Sequence, residues 1–185
     1  MTGTRRGEDV EPLPPLVADA TVLHHFAKAD RLDVLASGVR EMATTRIVVG
    51  EVDRYRADYP GLNSITDLTW LRILPQDTDA ELLAFERWIN LLGAGEHDIG
   101  EASVFAAAET HGLVAITDDR DATRVGRANG LEVHGTIWLL TRLHRLGRLT
   151  EFEIRRYVDD LQETGMRLPC KGDELLDWAK KHGLL

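Results

Sequence analysis

The stretch "LVAITDDRDATRVGRANG", residues 113–130, decides the fold of this chain. Its first five residues have the pattern of a buried strand, and the segment after them has the pattern of a helix that ends at Gly130. Three carboxylates, Asp118, Asp119 and Asp121, therefore fall where the strand ends and the helix begins. Such acids either cap the helix or bind a cation, and the other acids of the chain must distinguish these roles.

Composition indicates one ordinary domain, because the chain has 185 residues with 43% hydrophobic and 29% charged residues. The single cysteine, Cys170, cannot form an internal disulfide, which favours a reducing, cytoplasmic setting. No apolar run approaches the roughly 20 residues of a membrane span. We expect a flexible leader at 1–15, a catalytic domain at 16–146, and a C-terminal helical extension at 147–185 packed on that domain.

The net charge of -9 argues against a protein that coats nucleic acid nonspecifically, since such binders are usually basic. It does not exclude a nuclease, because an enzyme needs only a local basic strip and carboxylates that bind metal add to the formal negative charge.

Short apolar segments alternate with helical segments along the chain. Strands are predicted at "LVADA", near residue 42, and at "WLRILP", "LVAIT" and "LEVHG". A single helix is predicted from residue 21 to Gly38. The segment after it either forms a strand at 47–49 or a short strand near 42 with Thr44 or Thr45 capping a helix, and we favour the second. This alternation predicts a three-layer α/β/α sandwich with a central parallel sheet, followed by C-terminal helices.

Acidic residues follow two of the predicted strands, with Asp19 after the first and Asp118 and Asp119 after a later one. The carboxyl ends of parallel strands meet at one sheet edge, where ligands bind. Clustered carboxylates raise each other's pKa and destabilise the fold unless a cation neutralises them. Oxygen ligands without cysteine suit Mg²⁺ or Mn²⁺, which indicates phosphoryl-transfer chemistry.

Each acid also has a purely structural interpretation. Asp19 could cap the helix after it, Glu51 could be a solvated helix residue, and Asp121 could offset the helix dipole. Glu101 could belong to a capping box in "DIGE" with Asp98 as the cap.

Taken together, these residues resemble the PIN-domain family of metal-dependent nucleases, which includes VapC-type toxins. The resemblance lies in "VADATVLHHFAKADRLDVL", "GEVDR", "GEASVFAAAE" and "AITDDRDATRVGRANGLEVHGTIWLL". It implies catalytic residues at Asp19, Glu51, Glu101 and Asp119, and Mg²⁺ or Mn²⁺ ligands drawn from Asp19, Glu101, Asp118, Asp119 and Asp121. It further implies hydrolysis of RNA by a metal-activated water, substrate contacts at Thr21, Arg120, Arg124 and Arg127, a homodimer, and inhibition by a small antitoxin protein.

Several alternatives remain open beside this resemblance. The third acidic position is either Glu96 or Glu101, with Glu101 preferred, and the choice of ligand between Asp118 and Asp119 is open, with Asp119 preferred. The arginines could equally be a solvated basic face. The apolar residues of 137–149 form either a partner surface or core. A non-catalytic PIN scaffold is the main rival function; a receiver-like phosphate acceptor is disfavoured because no lysine occurs between residues 28 and 171.

Overall fold

The computed structural model describes residues 13–37, 40–58, 65–93 and 99–185, with the side chains of 55–58 left out. Within these ranges, five parallel strands form one sheet in the order β3-β2-β1-β4-β5. The strands are β1 (Leu16–Ala18), β2 (Met42–Thr45), β3 (Leu71–Leu74), β4 (Val114–Ile116) and β5 (Val133–His134).

Helices connect the strands and flank the sheet. They are α1 (Ala20–Lys28), α2 (Leu32–Ala36), α3 (Arg46–Asp58), α4 (Asp79–Leu92), α5 (Ile99–His111), α6 (Arg120–Ala128), α7 (Thr136–Arg145), α8 (Glu151–Glu163) and α9 (Leu175–Lys181). The predicted α/β/α sandwich with a parallel sheet is therefore confirmed, as are C-terminal helices after it.

The core centres on β1 and α5, whose sequences are apolar on every side. All three residues of β1 are inaccessible to solvent, as expected for a central parallel strand. Helix α5 packs against β1, β2 and β4, and every residue from Ala102 to Ala108 is buried. Its Phe105 meets the ring of Trp88 from α4 edge to face, with the ring centroids 5.2 Å apart. The site residues near β1 and α5 therefore rest directly on the close-packed core.

Of two predictions about helix boundaries, one is wrong and one is confirmed. The single helix predicted from residue 21 to Gly38 is wrong, because the chain breaks between α1 and α2, where Asp30 adopts a left-handed φ of 55°. Gly38 lies outside the described residues. The favoured interpretation of the next segment is confirmed: β2 ends at Thr45, whose Oγ1 accepts a hydrogen bond from the Val48 N–H at 3.2 Å.

The C-terminal helices share the core of the sheet domain. Ile154, Val158 and Leu161 of α8 are fully buried within the same hydrophobic cluster as the strands. The turn after α8 is joined to α1, since Nδ1 of His25 lies 2.6 Å from Oγ1 of Thr164. The predicted leader falls largely outside the described residues, and the division after residue 146 stays a prediction. None of the described helices is both long and apolar enough to cross a bilayer.

Candidate active site

Asp19 is a buried carboxylate at the carboxyl end of β1, with 2% of its surface exposed. Its Oδ1 accepts a hydrogen bond from the Val22 N–H at 2.8 Å and so caps α1. Its Oδ2 is buried and has no hydrogen-bond partner among the described residues. Buried polar atoms are normally hydrogen-bonded, so this oxygen is a candidate ligand atom for a bound cation.

The charge state of Asp19 follows from its surroundings. Burial raises its pKa to about 8, although the nearby Thr117 hydroxyl and the Val22 N–H that donates to Oδ1 lower the pKa part of the way. The negative charges of Glu101 and Asp118 raise the pKa of Asp19 further. The fold therefore brings three of the predicted acids, from β1, α5 and the end of β4, into one electrostatic group.

Asp118 follows β4 and is held by the start of α7. Its Oδ1 accepts a hydrogen bond from the Thr136 N–H at 3.0 Å, and its Oδ2 accepts one from Oγ1 of Thr136 at 2.6 Å. Burial raises the pKa of Asp118, and both bonds from Thr136 lower it again. Asp118 is thus half-buried and held in a fixed orientation, and its charge reaches Asp19.

Asp119 and Asp121 face the solvent instead. Asp119 is exposed and caps α6, because its Oδ1 accepts a hydrogen bond from the Ala122 N–H at 2.6 Å. The side chain of Asp121 is 92% exposed and lies 3.4 Å from the Arg124 guanidinium. Neither carboxylate is among the charges that raise the pKa of Asp19. Asp118, rather than Asp119 or Asp121, therefore shares the electrostatic group of Asp19.

Glu51 lies on α3 and reaches the start of α5. Burial raises the pKa of Glu51, while the charge of Arg54 and a hydrogen bond from the Gly100 backbone lower it. The approach to Gly100 is so close that a Cβ there would overlap the carboxylate, with 2.9 Å to the carboxyl carbon. Glu51 therefore binds the N-terminus of the helix that carries Glu101. The alternative third position, Glu96, lies outside the described residues, as does the predicted cap Asp98.

Four acids of this edge lie at helix N-termini: Asp19 at α1, Glu51 at α5, Asp118 at α7 and Asp119 at α6. The positive ends of these helix dipoles stabilise negative charge at the edge. Helix capping and cation binding, the two roles considered for these acids, are thus compatible. A carboxylate that caps a helix can still belong to a cluster of charged neighbours.

The donor set fits a hard divalent cation. The group offers only carboxylate oxygens, including the buried Oδ2 of Asp19 without a partner, and such ligands suit Mg²⁺ or Mn²⁺. Among the described residues, no three His, Cys, Asp or Glu side chains are already gathered tightly enough to hold one ion. The fit therefore rests on the unsatisfied oxygen and on the shared charge, and not on a preformed ligand shell.

The predicted substrate-contacting residues differ in their exposure and in their hydrogen bonds. Thr21 is exposed in the first turn of α1, and Arg120 and Arg124 are exposed on α6. Arg127 is committed elsewhere, because its Nε and Nη2 donate hydrogen bonds to the Val133 carbonyl at 3.0 and 2.6 Å. The three arginines therefore do not form one free basic face.

Sequence reasoning missed residues that shape the site without being acidic. Thr117 approaches Asp19 and also accepts a hydrogen bond from the Asp119 N–H at 3.2 Å. Thr136 binds Asp118, and Gly100 and Gly135 make room for carboxylates. The only sequence signals were a threonine directly before the acids and a Gly-Thr pair at the start of a helix.

Comparisons with known proteins agree with this fold. A family model described as "PIN domain" (DUF3368) matches residues 15–172. Among solved structures, VapC20 of Mycobacterium tuberculosis, described as a sarcin-ricin loop cleaving toxin, matches with a TM-score of 0.48 and 19% identity over 63% of this chain and 95% of its own. PAE2754 from Pyrobaculum aerophilum matches with a TM-score of 0.50 and 18% identity over 71% and 96% of the two chains. No curated protein matches the chain.

The family match spans all five strands and every acid of the site, so this chain belongs to the PIN-domain family. The resemblance noted from the sequence is thereby confirmed. PIN domains are typically nucleases, and membership supports a nuclease role for this chain.

Proposed function

We propose that this chain is a divalent-metal-dependent endoribonuclease that hydrolyses phosphodiester bonds at the carboxyl edge of its sheet. One observation carries the proposal: a buried carboxylate oxygen, Oδ2 of Asp19, has no partner and lies in a group with the charges of Glu101 and Asp118. A fold that buries an unsatisfied carboxylate beside two others is destabilised unless a cation occupies the group. The family membership supports nuclease chemistry there.

Asp19, Glu101 and Asp118 are the proposed ligands of Mg²⁺ or Mn²⁺. When bound, the ion would supply Lewis acidity and lower the pKa of a coordinated water. Asp19 must release its proton to bind a cation, since its pKa is raised to about 8. Asp118 can still serve although both oxygens accept hydrogen bonds, because a carboxylate has about four acceptor positions.

This ligand set is smaller than the one that the resemblance implies, because it leaves out Asp119 and Asp121. Asp118 takes the position for which the sequence favoured Asp119, because the charge of Asp118 reaches Asp19 whereas Asp119 is exposed and caps α6. Glu51 contributes by anchoring the N-terminus of α5, whereas Asp121 lies too far into solvent to share the charged group.

Substrate binding is proposed to use the exposed rim of the site. Arg120 and Arg124 offer guanidinium groups suited to phosphate oxygens, and Thr21 offers a hydroxyl two residues after Asp19. Arg127 is left out of this set because two of its three guanidinium nitrogens, Nε and Nη2, donate to the Val133 carbonyl and fix the group there. RNA as the polymer, a VapC-type toxin role in the cytoplasm, an antitoxin partner and a homodimer follow from the family resemblance and stay proposals.

The deciding experiment is cleavage of a mixed RNA pool by the purified full chain with Mn²⁺, with and without chelator. Asp19→Asn and Asp118→Asn should lower the rate by about 100-fold or more, because each removes a proposed ligand of the ion that would stabilise the charge of the transition state. Asp121→Asn, at an exposed acid beside the same strand end, is the matched control and should cleave like the wild type.

The rival function is a PIN fold that binds RNA without cutting it. It predicts RNA retention on the wild-type protein with no cleavage at any Mn²⁺ concentration, and no difference between the variants. Full activity in both Asp19→Asn and Asp118→Asn would instead show that cleavage uses other residues.

A further inference from the structure

We propose that Gly135 and Thr136, at the start of α7, are positioning residues that hold the Asp118 carboxylate in its metal-binding orientation. The inference deepens the proposed function and rests on it, because the orientation matters only if Asp118 binds the ion. Both residues are uncharged, so the pattern of acidic residues in the sequence does not identify them.

Thr136 makes two contacts to the same carboxylate. Its backbone N–H donates to Oδ1 of Asp118 at 3.0 Å, and its hydroxyl donates to Oδ2 at 2.6 Å. Thr136 is itself fully buried. Hydrogen bonds to a charged acceptor are short and strong, and a pair of them fixes both the position and the plane of the carboxylate.

Gly135 explains how the carboxylate can come so close. A Cβ at this position would lie 2.6 Å from Oδ1 of Asp118, which no side chain could occupy without displacing the oxygen. Its φ of -106° is open to any residue, so the backbone conformation does not require glycine there. The requirement is therefore the space that the Asp118 carboxylate fills.

The arrangement is a helix cap supplied from a distant part of the chain. Gly135 is the N-cap residue of α7 and has no side chain to cap it, and Asp118 provides the missing acceptor from the end of β4. A purely structural cap would need only one oxygen facing the N–H. Here the second oxygen is also bonded, and the charge of the carboxylate reaches Asp19.

A structural cap and a positioning role make different predictions for the folded protein. A structural cap affects stability alone, whereas a positioning role also affects the affinity for the ion. Partners of a metal-binding group commonly change metal affinity by about 10-fold to 100-fold when they are removed. The affinity of the full chain for Mn²⁺ alone, without RNA, separates the two roles.

The test uses isothermal titration with Mn²⁺ and thermal denaturation of the same samples. Thr136→Val keeps the shape and loses the hydroxyl, so its Kd for Mn²⁺ should rise by about tenfold, while Thr136→Ser keeps the hydroxyl and should stay within about twofold of the wild type. Thr141→Val is the matched control, since Thr141 is also buried on α7 but its hydroxyl donates to the Ile137 and Trp138 carbonyls.

Gly135→Ala displaces the other carboxylate oxygen, Oδ1 of Asp118, while leaving Thr136 unchanged. It should weaken Mn²⁺ binding as well. If Thr136→Val and Gly135→Ala both bind Mn²⁺ like the wild type while Asp118→Asn binds weakly, the positioning role is overturned and the ligand set stands. If Asp118→Asn itself binds Mn²⁺ normally, the proposed ligand set fails and the positioning role fails with it.

Discussion

Asp19→Asn should stabilise the metal-free protein at neutral pH, although it removes a residue proposed to be essential for activity. Asparagine keeps the carbonyl oxygen that accepts the Val22 N–H, so the cap of α1 survives. It removes a carboxyl group that is buried beside the negative charges of Glu101 and Asp118. The variant should therefore lose function and gain stability at the same time.

The magnitude follows from the pKa of Asp19, which is 3.8 when unperturbed and about 8 in the fold. Between these values the folded protein holds a proton that the unfolded chain releases, so the stability of the wild type falls as the pH rises. Each pH unit lowers the free energy of unfolding by about 1.4 kcal/mol. By pH 7 the effect amounts to at most about 4 kcal/mol, and it is absent below pH 3.8.

Urea denaturation at several pH values between 5 and 8, in the presence of EDTA, measures this effect. The free energy of unfolding of Asp19→Asn minus that of the wild type should grow steadily with pH across this range. Asp121→Asn is the control, because its exposed carboxylate should leave the pH dependence unchanged. Adding Mn²⁺ should stabilise the wild type and leave Asp19→Asn largely unaffected, since only the wild type retains the full ligand set.

A wild type and an Asp19→Asn variant whose stabilities run parallel from pH 5 to pH 8 would refute this reasoning. Parallel curves would mean that Asp19 is already ionised in the metal-free fold, and that water or a neighbouring donor satisfies its second oxygen.

Two further predictions concern the supporting structure. Gly100→Ala should destabilise the protein by about 1 kcal/mol in urea denaturation, because the new Cβ moves the Glu51 carboxylate off the Gly100 N–H and that hydrogen bond is lost. Gly50→Ala, the same change at an open helix position, should instead stabilise it by about 0.5–1 kcal/mol. Equal effects of both alanines would contradict the close approach at Gly100. Thr150→Ala removes the capping box that Thr150 forms with Glu153 at the start of α8, and should cost about 1 kcal/mol in the same assay. An unchanged unfolding midpoint would show that this cap contributes nothing.

Local sequence patterns were sufficient for the layered fold and for the edge at which the acids meet. A buried strand is a continuous apolar run in the sequence. A helix is marked at its start by a capping residue such as Thr150 and at its end by a glycine such as Gly93. Each of these signals is local, because it involves residues only a few positions apart in the chain. The break at Asp30 was not predictable in this way, because its left-handed backbone interrupts a pattern that otherwise continues as one helix.

What the sequence by itself determined is that a parallel sheet carries acids at the ends of its strands, since both strand burial and strand direction follow from local pattern. Only the tertiary structure decided which acids face one another. Asp118 and Asp119 are neighbours in the chain, yet Asp118 is half-buried and bonded to Thr136, whereas Asp119 is exposed and caps α6, so a shift of one residue exchanges the two environments. The partners that hold Asp118 and Glu51, namely Thr136 and Gly100, come from distant parts of the chain and become neighbours only when the helices pack.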